Sequence, residues 1–254
     1  MANKPLVAAA AAAALLSAAG GPARAEPVKN VVLVHGAFAD GSGWRRVADI
    51  LGKDGYTVTI VQEPLTSLAD DAAATKRMIE RVNAPLILVG HSYGGAVITQ
   101  AGNEPQVRGL VYIAAFQPDT GETLGDLLKQ KPPAVGNTLV PAGEGYLIVD
   151  PKAFHADFAA DVPATEASFM AISQVPINVS AIGTPITNAA WHNKPSWYAV
   201  ATEDHMINPD LERFMAKRAG SDTIEVKSSH AMFLSKPEDV AHLIERAAKK
   251  ASAK

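Results

Sequence analysis

Short β-branched apolar runs, each closed by a helical pattern, recur along most of this chain and constrain its fold more than any other feature. "VVLVHG", from residue 31, is followed by "GWRRVADILGKDG", whose apolar positions Val47, Ile50 and Leu51 share one helical face. "YTVTIV" then precedes the amphipathic "LADDAAATKRMIERV", "PLILVG" precedes "GGAVITQAGN", and "VRGLVYIAAF" closes the series. Strands that are apolar throughout and alternate with helices need both faces covered, so the pattern predicts a mostly parallel sheet with helices on both sides.

After "FQPDTGET" the rhythm stops. Residues of about 121–190 hold "KPPAVG", a hairpin pattern in "NTLVPAGEGYLIVD" and short helical pieces such as "PATEASFMAIS". This stretch reads as a cap inserted on the sheet. The rhythm resumes with "SWYAVATED", "NPDLERFMAKRAG", "TIEVKSS" and a closing helix in "KPEDVAHLIERAAKKA". One α/β domain over residues 26–254 is therefore expected, and a chain of this length buries a sizeable core.

Residues 1–25 stand apart. Lys4 precedes the apolar "LVAAAAAAALLSAA", and Ala23-Arg24-Ala25 offers a small-x-small cleavage site before Glu26. This is the pattern of a secretory signal peptide, so the mature protein is expected to be periplasmic or secreted, with no stable membrane span. The chain has no cysteine, which excludes disulfides, thiol catalysis and cysteine-ligated metal. A net charge of -3 without a basic cluster argues against nucleic acid as a partner.

"GHSYG", Gly90 to Gly94, has the form G-x-S-x-G and lies between a predicted strand and a predicted helix. That context is what a nucleophile elbow requires: a sharp turn lifts the serine hydroxyl above the sheet edge, and glycines admit the neighbouring chain. Ser92 is the expected nucleophile. It needs a base, and the base needs an orienting acid, in the chain order serine, acid, histidine.

Seven histidines compete for the base. His35 and His91 adjoin motif glycines and are expected to shape the site. His155 and His192 fall in or near the cap, His205 comes too early, and His242 lies inside the last helix. His230, between a strand and a helix at the carboxyl edge of the sheet, is the expected base. For the acid, Asp204 lies one residue further into its loop than Glu203 and is preferred, with Asp119 the outside candidate. Backbone N–H donors for an oxyanion are expected from Tyr93 and from Ala37, with Phe38 the alternative to Ala37. No phosphate-cradling G-x-x-x-x-G-K-[ST] is present. The cap contributes Phe154, Phe158, Phe169, Met170 and Ile172, which either line an acyl pocket or pack the cap onto the sheet.

"VVLVHGAFADGSGW", "LILVGHSYGG", "GLVYIAAFQPD", "VATEDHMI" and "SSHAMFLSKP" resemble the α/β-hydrolase superfamily, in particular the branch of methyl-salicylate-type esterases, hydroxynitrile lyases and bacterial esterase-like relatives. The resemblance spans about residues 30–250 and is weakest in the cap. It implies Ser92, Asp204 and His230 as the triad and Ala37 and Tyr93 as the oxyanion donors. It further implies a serine esterase acting on small to medium carboxylic esters with no cofactor or metal. The plant lyases carry a lysine near the acid or histidine loop. Neither "EDHMINP" nor Ala231-Met232 supplies one, which disfavours that chemistry. A cofactor-free C–C lyase, a slow-turnover ligand-binding homologue and a peroxidase-like hydrolase keep the same triad. Cyanide release, tight binding without turnover and peroxide-dependent halogenation would reveal them respectively.

Overall fold

The computed structural model describes residues 1–2, 28–133 and 138–251. Apart from Met1 and Ala2, the leader expected in residues 1–25 lies outside the described residues.

The strands in chain order are β1 (Asn30–Val34), β2 (Thr57–Val61), β3 (Leu86–Ser92), β4 (Val107–Ala115), β5 (Leu139–Pro141), β6 (Tyr146–Val149), β7 (Ile177–Asn178), β8 (Ser196–Ala201) and β9 (Asp222–Val226). Six of them form one sheet in the order β2-β1-β3-β4-β8-β9, and every pairing in it is parallel. The rhythm of the sequence is thus realised strand for strand. One expectation needs correction, because the strands are not apolar throughout: the inner strand β4 carries exposed Arg108, and polar residues are most frequent at the edges. β3 and β8 are buried along their whole length, whereas the edge strands β2 and β9 carry exposed residues, Thr57 in one and Thr223 and Glu225 in the other. An edge strand has one neighbour and incomplete cover, so polar residues cost it little.

Helices α1 (Arg45–Lys53), α2 (Leu68–Val82) and α3 (Tyr93–Ala101) follow β1, β2 and β3. Ser67 caps α2 by accepting from the Asp70 N–H, and Asn83 ends it in the left-handed region at φ 46°. From β1 the chain crosses through α1 to β2, then returns through α2 to β3 on the other side of β1. Right-handed crossovers therefore put α1 and α2 on opposite faces. Packing follows that division, with α2 against α3 and α1 against the last helix. The reversal makes the carboxyl ends of β1 and β3 a topological switch point, where open parallel sheets carry their sites.

Between β4 and β8 lie α4 (Leu124–Gln130), the antiparallel sheet β5-β6-β7, α5 (Phe154–Phe158), α6 (Ala164–Ile172) and α7 (Val179–Gly183). The expected hairpin is β5 and β6. The chain closes with α8 (Pro209–Arg218), α9 (Met232–Ser235) and α10 (Pro237–Ala251). Among the described residues, no helix is long and apolar enough to cross a membrane.

Candidate active site

Ser92 ends β3 and stands at φ 52°, ψ −124°, a conformation that side chains disfavour by about 1–3 kcal/mol. The turn is tight enough to explain its glycines. A Cβ on Gly90 would come 2.5 Å from the Gly94 carbonyl oxygen, and one on Gly36 would come 2.7 Å from the Ser92 Cβ. Gly94 lies directly against the His35 carbonyl, so the loop after β1 and the first turn of α3 touch through backbone alone. α3 begins at Tyr93, and its unpaired N–H groups face this region with the positive end of the helix dipole.

Ser92 Oγ lies 2.8 Å from His230 Nε2, and His230 Nδ1 lies 2.6 Å from Asp204 Oδ2. Asp204 and His230 are both about 1% exposed. The second carboxylate oxygen, Oδ1, accepts the N–H groups of Met206 at 2.7 Å and Ile207 at 2.8 Å. Asp204 therefore has one oxygen fixed by backbone and the other free to orient the imidazole. Phe158 packs edge-on against the His230 ring at 4.9 Å, and its carbonyl accepts the Ala231 N–H at 3.0 Å. Phe154 stacks on Phe158 at 4.7 Å, so these two cap residues serve packing.

The other candidates are engaged elsewhere. Glu203 pairs with Lys227 at 3.5 Å, and Asp119 accepts from His192 Nε2 at 2.7 Å. His155 and His205 bond to the Val162 and Ala156 carbonyls, and His242 is exposed on α10. His91 donates from Nε2 to the His230 carbonyl at 2.9 Å, with its ring 4.7 Å from the His230 ring. Burial and the neighbouring His230 push His91 well below the usual histidine range, so it stays neutral. His35 accepts the Glu63 N–H at Nε2 (3.0 Å), which leaves Nδ1 to donate to the Gly36 carbonyl (2.9 Å). Burial lowers its pKa as well, and both histidines act as fixed neutral struts under the Ser92 turn.

Ala37 and Tyr93 line a cavity with Ser92. The cavity measures about 460 Å³ including its mouth, and Phe116, Leu124, Leu139, Ile177 and Ile207 are among its walls. Apart from the Ser92 hydroxyl and the Tyr93 phenol, its lining side chains are apolar. The phenol is turned aside, donating to Asp71 Oδ2 at 2.6 Å. Burial and Asp71 push the Tyr93 phenol far above its usual range, so it remains a donor.

Three buried carboxyl groups that pack against the site, Asp71, Glu212 and Glu63, escaped the sequence reading. Asp71 holds Tyr93 on one oxygen and the Leu65 N–H on the other. Glu212, on α8, accepts the Ala201 N–H at 3.1 Å and lies against Asp204. Burial, then the Asp204 carboxylate beside it, pushes Glu212 well above the ordinary carboxyl range. Its signal was available: Glu212 shares the buried face of α8 with Leu211, Met215 and Ala216.

Glu63 is 6% exposed, and both its carboxyl oxygens are buried without a hydrogen-bond partner among the described residues. Burial, then Asp71, raises its pKa well above the usual 4.5. The folded state thus holds a proton that the unfolded chain releases, so stability from this group is present below the unfolded pKa and declines as pH rises towards the folded one. Glu63→Gln should therefore be more stable relative to the wild type at pH 8 than at pH 4.5, because the amide has no proton for the unfolded chain to release. Urea unfolding at both pH values measures the difference, and a difference independent of pH would contradict the assignment.

Comparison with known proteins gives a consistent set. Residues 31–243 match the family described as "Alpha/beta hydrolase family". The chain is 27% identical over 254 residues to salicylic acid-binding protein 2 of Nicotiana tabacum, covering 87% of this chain and 98% of that protein. It is 37% identical over 121 residues to a carbendazim hydrolyzing esterase of Nocardioides sp., covering 42% of this chain and 50% of the relative. The crystal structure of the pyrethroid hydrolase PytH superposes with a TM-score of 0.75 at 23% identity, covering 89% of this chain and all of that one.

Proposed function

Since the chain belongs to the alpha/beta hydrolase family, we propose that it is a serine esterase that cleaves small to medium carboxylic esters through an acyl-enzyme. The observation that carries the reading is the unbroken chain from Ser92 Oγ through His230 to Asp204, at 2.8 and 2.6 Å. Relatives named as hydrolases and esterases support ester hydrolysis in general.

Ser92 Oγ bonds to the ester carbonyl carbon while His230 Nε2 takes the hydroxyl proton. The carbonyl π electrons move onto oxygen, where the N–H groups of Ala37 and Tyr93 meet the new charge. Asp204 keeps the proton of His230 on Nδ1, leaving Nε2 as the acceptor, and stabilises the imidazolium. Collapse breaks the bond to the alcohol oxygen, which leaves with the proton from Nε2. Water then attacks the acyl-serine, His230 takes its proton, and the acid departs with Ser92 restored. The apolar cavity favours neutral, apolar groups on the ester arm it receives. This chain of steps needs no cofactor. The leader pattern in residues 1–25 supports a periplasmic or secreted site of action.

Pre-steady-state hydrolysis of p-nitrophenyl acetate, butyrate and octanoate tests the proposal. The expected result is a burst of one p-nitrophenol per protein followed by slower turnover, with chain-length preference reporting the cavity size. Linear release with no acylated Ser92 by mass spectrometry would overturn the acyl-enzyme.

A further inference from the structure

The helix after Ser92 starts without the side-chain cap that helices of its kind commonly carry. Ser92 stands at the N-cap position of α3, but its hydroxyl makes no capping hydrogen bond and reaches His230 instead. The first N–H groups of α3 therefore have no partner within the helix or on Ser92, and that of Tyr93 is among them. Their direction must be set from elsewhere. The Tyr93 phenol supplies the anchor, donating at 2.6 Å to Oδ2 of Asp71 on the first turn of α2. Tyr93 is buried, and Asp71 completely so.

The other oxygen of Asp71, Oδ1, accepts the Leu65 N–H at 2.8 Å, where the loop after β2 passes through the left-handed region at φ 56°. The Leu65 carbonyl in turn accepts the N–H of Asn178, the last residue of β7, at 2.9 Å. One carboxyl group thus joins α2 to the elbow and to the loop after β2, and through that loop to the cap. Glu63 is buried nearby, but neither of its carboxyl oxygens has a hydrogen-bond partner among the described residues, so it does not share the task.

We propose that Asp71 is a positioning residue for ester hydrolysis: by holding the Tyr93 phenol it fixes the direction of the Tyr93 N–H that meets the oxyanion. The inference rests on the esterase reading above. Ring and peptide N–H belong to one residue, so a peptide that turns carries the ring with it. The bond to Asp71 pins the far end of that ring. A donor fixed in advance need not turn when charge develops, and this is what gives an oxyanion hole its effect. A displacement of about 1 Å costs roughly 10²-fold.

The experiment uses Asp71→Ala, Asp71→Asn, Tyr93→Phe and the double variant Asp71→Ala/Tyr93→Phe in the full chain, with rates counted per active site titrated by the acylation burst. It reads kcat and KM for p-nitrophenyl butyrate and inhibition by a trifluoromethyl ketone. Ser92 Oγ bonds to the ketone carbon while His230 takes the hydroxyl proton, and the carbonyl oxygen becomes an oxyanion with no leaving group to expel. Asp71→Ala and Tyr93→Phe should each lower kcat about 10²-fold, with KM moving less than about threefold. The ketone should weaken in the same proportion as kcat/KM. The two losses should not add, so the double variant should fall no further than either alone. Asp71→Asn keeps an acceptor for Leu65 and turns an NH₂ towards the phenol oxygen, so most of the rate should return. If Asp71 were merely structural, Asp71→Ala would melt earlier and show fewer titratable sites, yet keep wild-type kcat and ketone affinity per site. That result overturns the proposal, as does a rise in KM at constant kcat. Should Asp71→Ala fail to fold, the double variant decides by the same criteria, because it leaves no phenol without its partner. A wild type with neither a burst nor ketone inhibition overturns the esterase reading itself, and the proposal with it.

Discussion

Ser92→Ala should lower kcat/KM for p-nitrophenyl butyrate by about 10⁴–10⁶-fold, because it removes the hydroxyl that attacks the carbonyl in the proposed mechanism. A residual rate above the uncatalysed reaction should survive, since Ala37 and Tyr93 would still meet the oxyanion. Substrate affinity should change little, because the cavity walls are untouched. The same position carries a separable stability effect. Ser92 occupies φ 52°, ψ −124° in the native turn, and alanine inherits that strain while glycine does not. Ser92→Gly should therefore unfold at no lower a temperature than Ser92→Ala. Elsewhere glycine costs about 0.5–1 kcal/mol relative to alanine. Parallel assays and thermal melts of both variants check the two parts. Equal activity of Ser92→Ala and wild type would remove Ser92 from the chemistry.

Asp204→Asn should cost about 10⁴-fold in kcat with the fold intact, the size of the loss when a triad histidine is held in the wrong tautomer. The reason here is geometric. Oδ1 of Asp204 accepts two backbone N–H groups, from Met206 and Ile207, so the asparagine oxygen must stay on that side. Its NH₂ then faces His230 Nδ1 and donates where the carboxylate accepted. The imidazole answers by carrying its proton on Nε2, which leaves nothing to take the proton of Ser92. Circular dichroism and melting should match the wild type within a few degrees while kcat falls. A loss of less than about tenfold would mean that another acid orients His230. Glu203 and Asp119 are the first to test, and both are tied to surface partners in the structure.

The parts of this site that were legible in the sequence are those written in local chemistry. Ser92 was visible because a strand-to-helix turn of this tightness excludes a side chain at Gly90 and Gly94, which leaves a motif in the letters. His230 and Asp204 were visible because each follows a strand at the carboxyl edge, where chain order and loop placement narrow the choice. The alternation of apolar and amphipathic runs gave the six parallel strands for a similar reason, since a strand covered on both faces is built mainly from apolar residues. That argument weakened at the edges, where β2 and β9 carry polar residues that partial cover permits.

Contacts between residues distant in sequence left no such mark. Phe158 was one of five apolar cap residues, and nothing in its neighbourhood distinguished it from Phe169. Yet one is buried edge-on against the His230 ring and the other is exposed. Glu63 and Asp71 looked like ordinary charges, but both are buried beneath the residues of the site. The sequence by itself determined the sheet, the elbow and the order of serine, acid and base, because periodicity and tight turns act over a few residues. Only the tertiary structure decided which cap residue braces His230 and which carboxyls are pushed above their ordinary range. Those outcomes depend on burial and on encounters such as that of Phe158 with His230, 72 residues apart, which a local pattern does not encode.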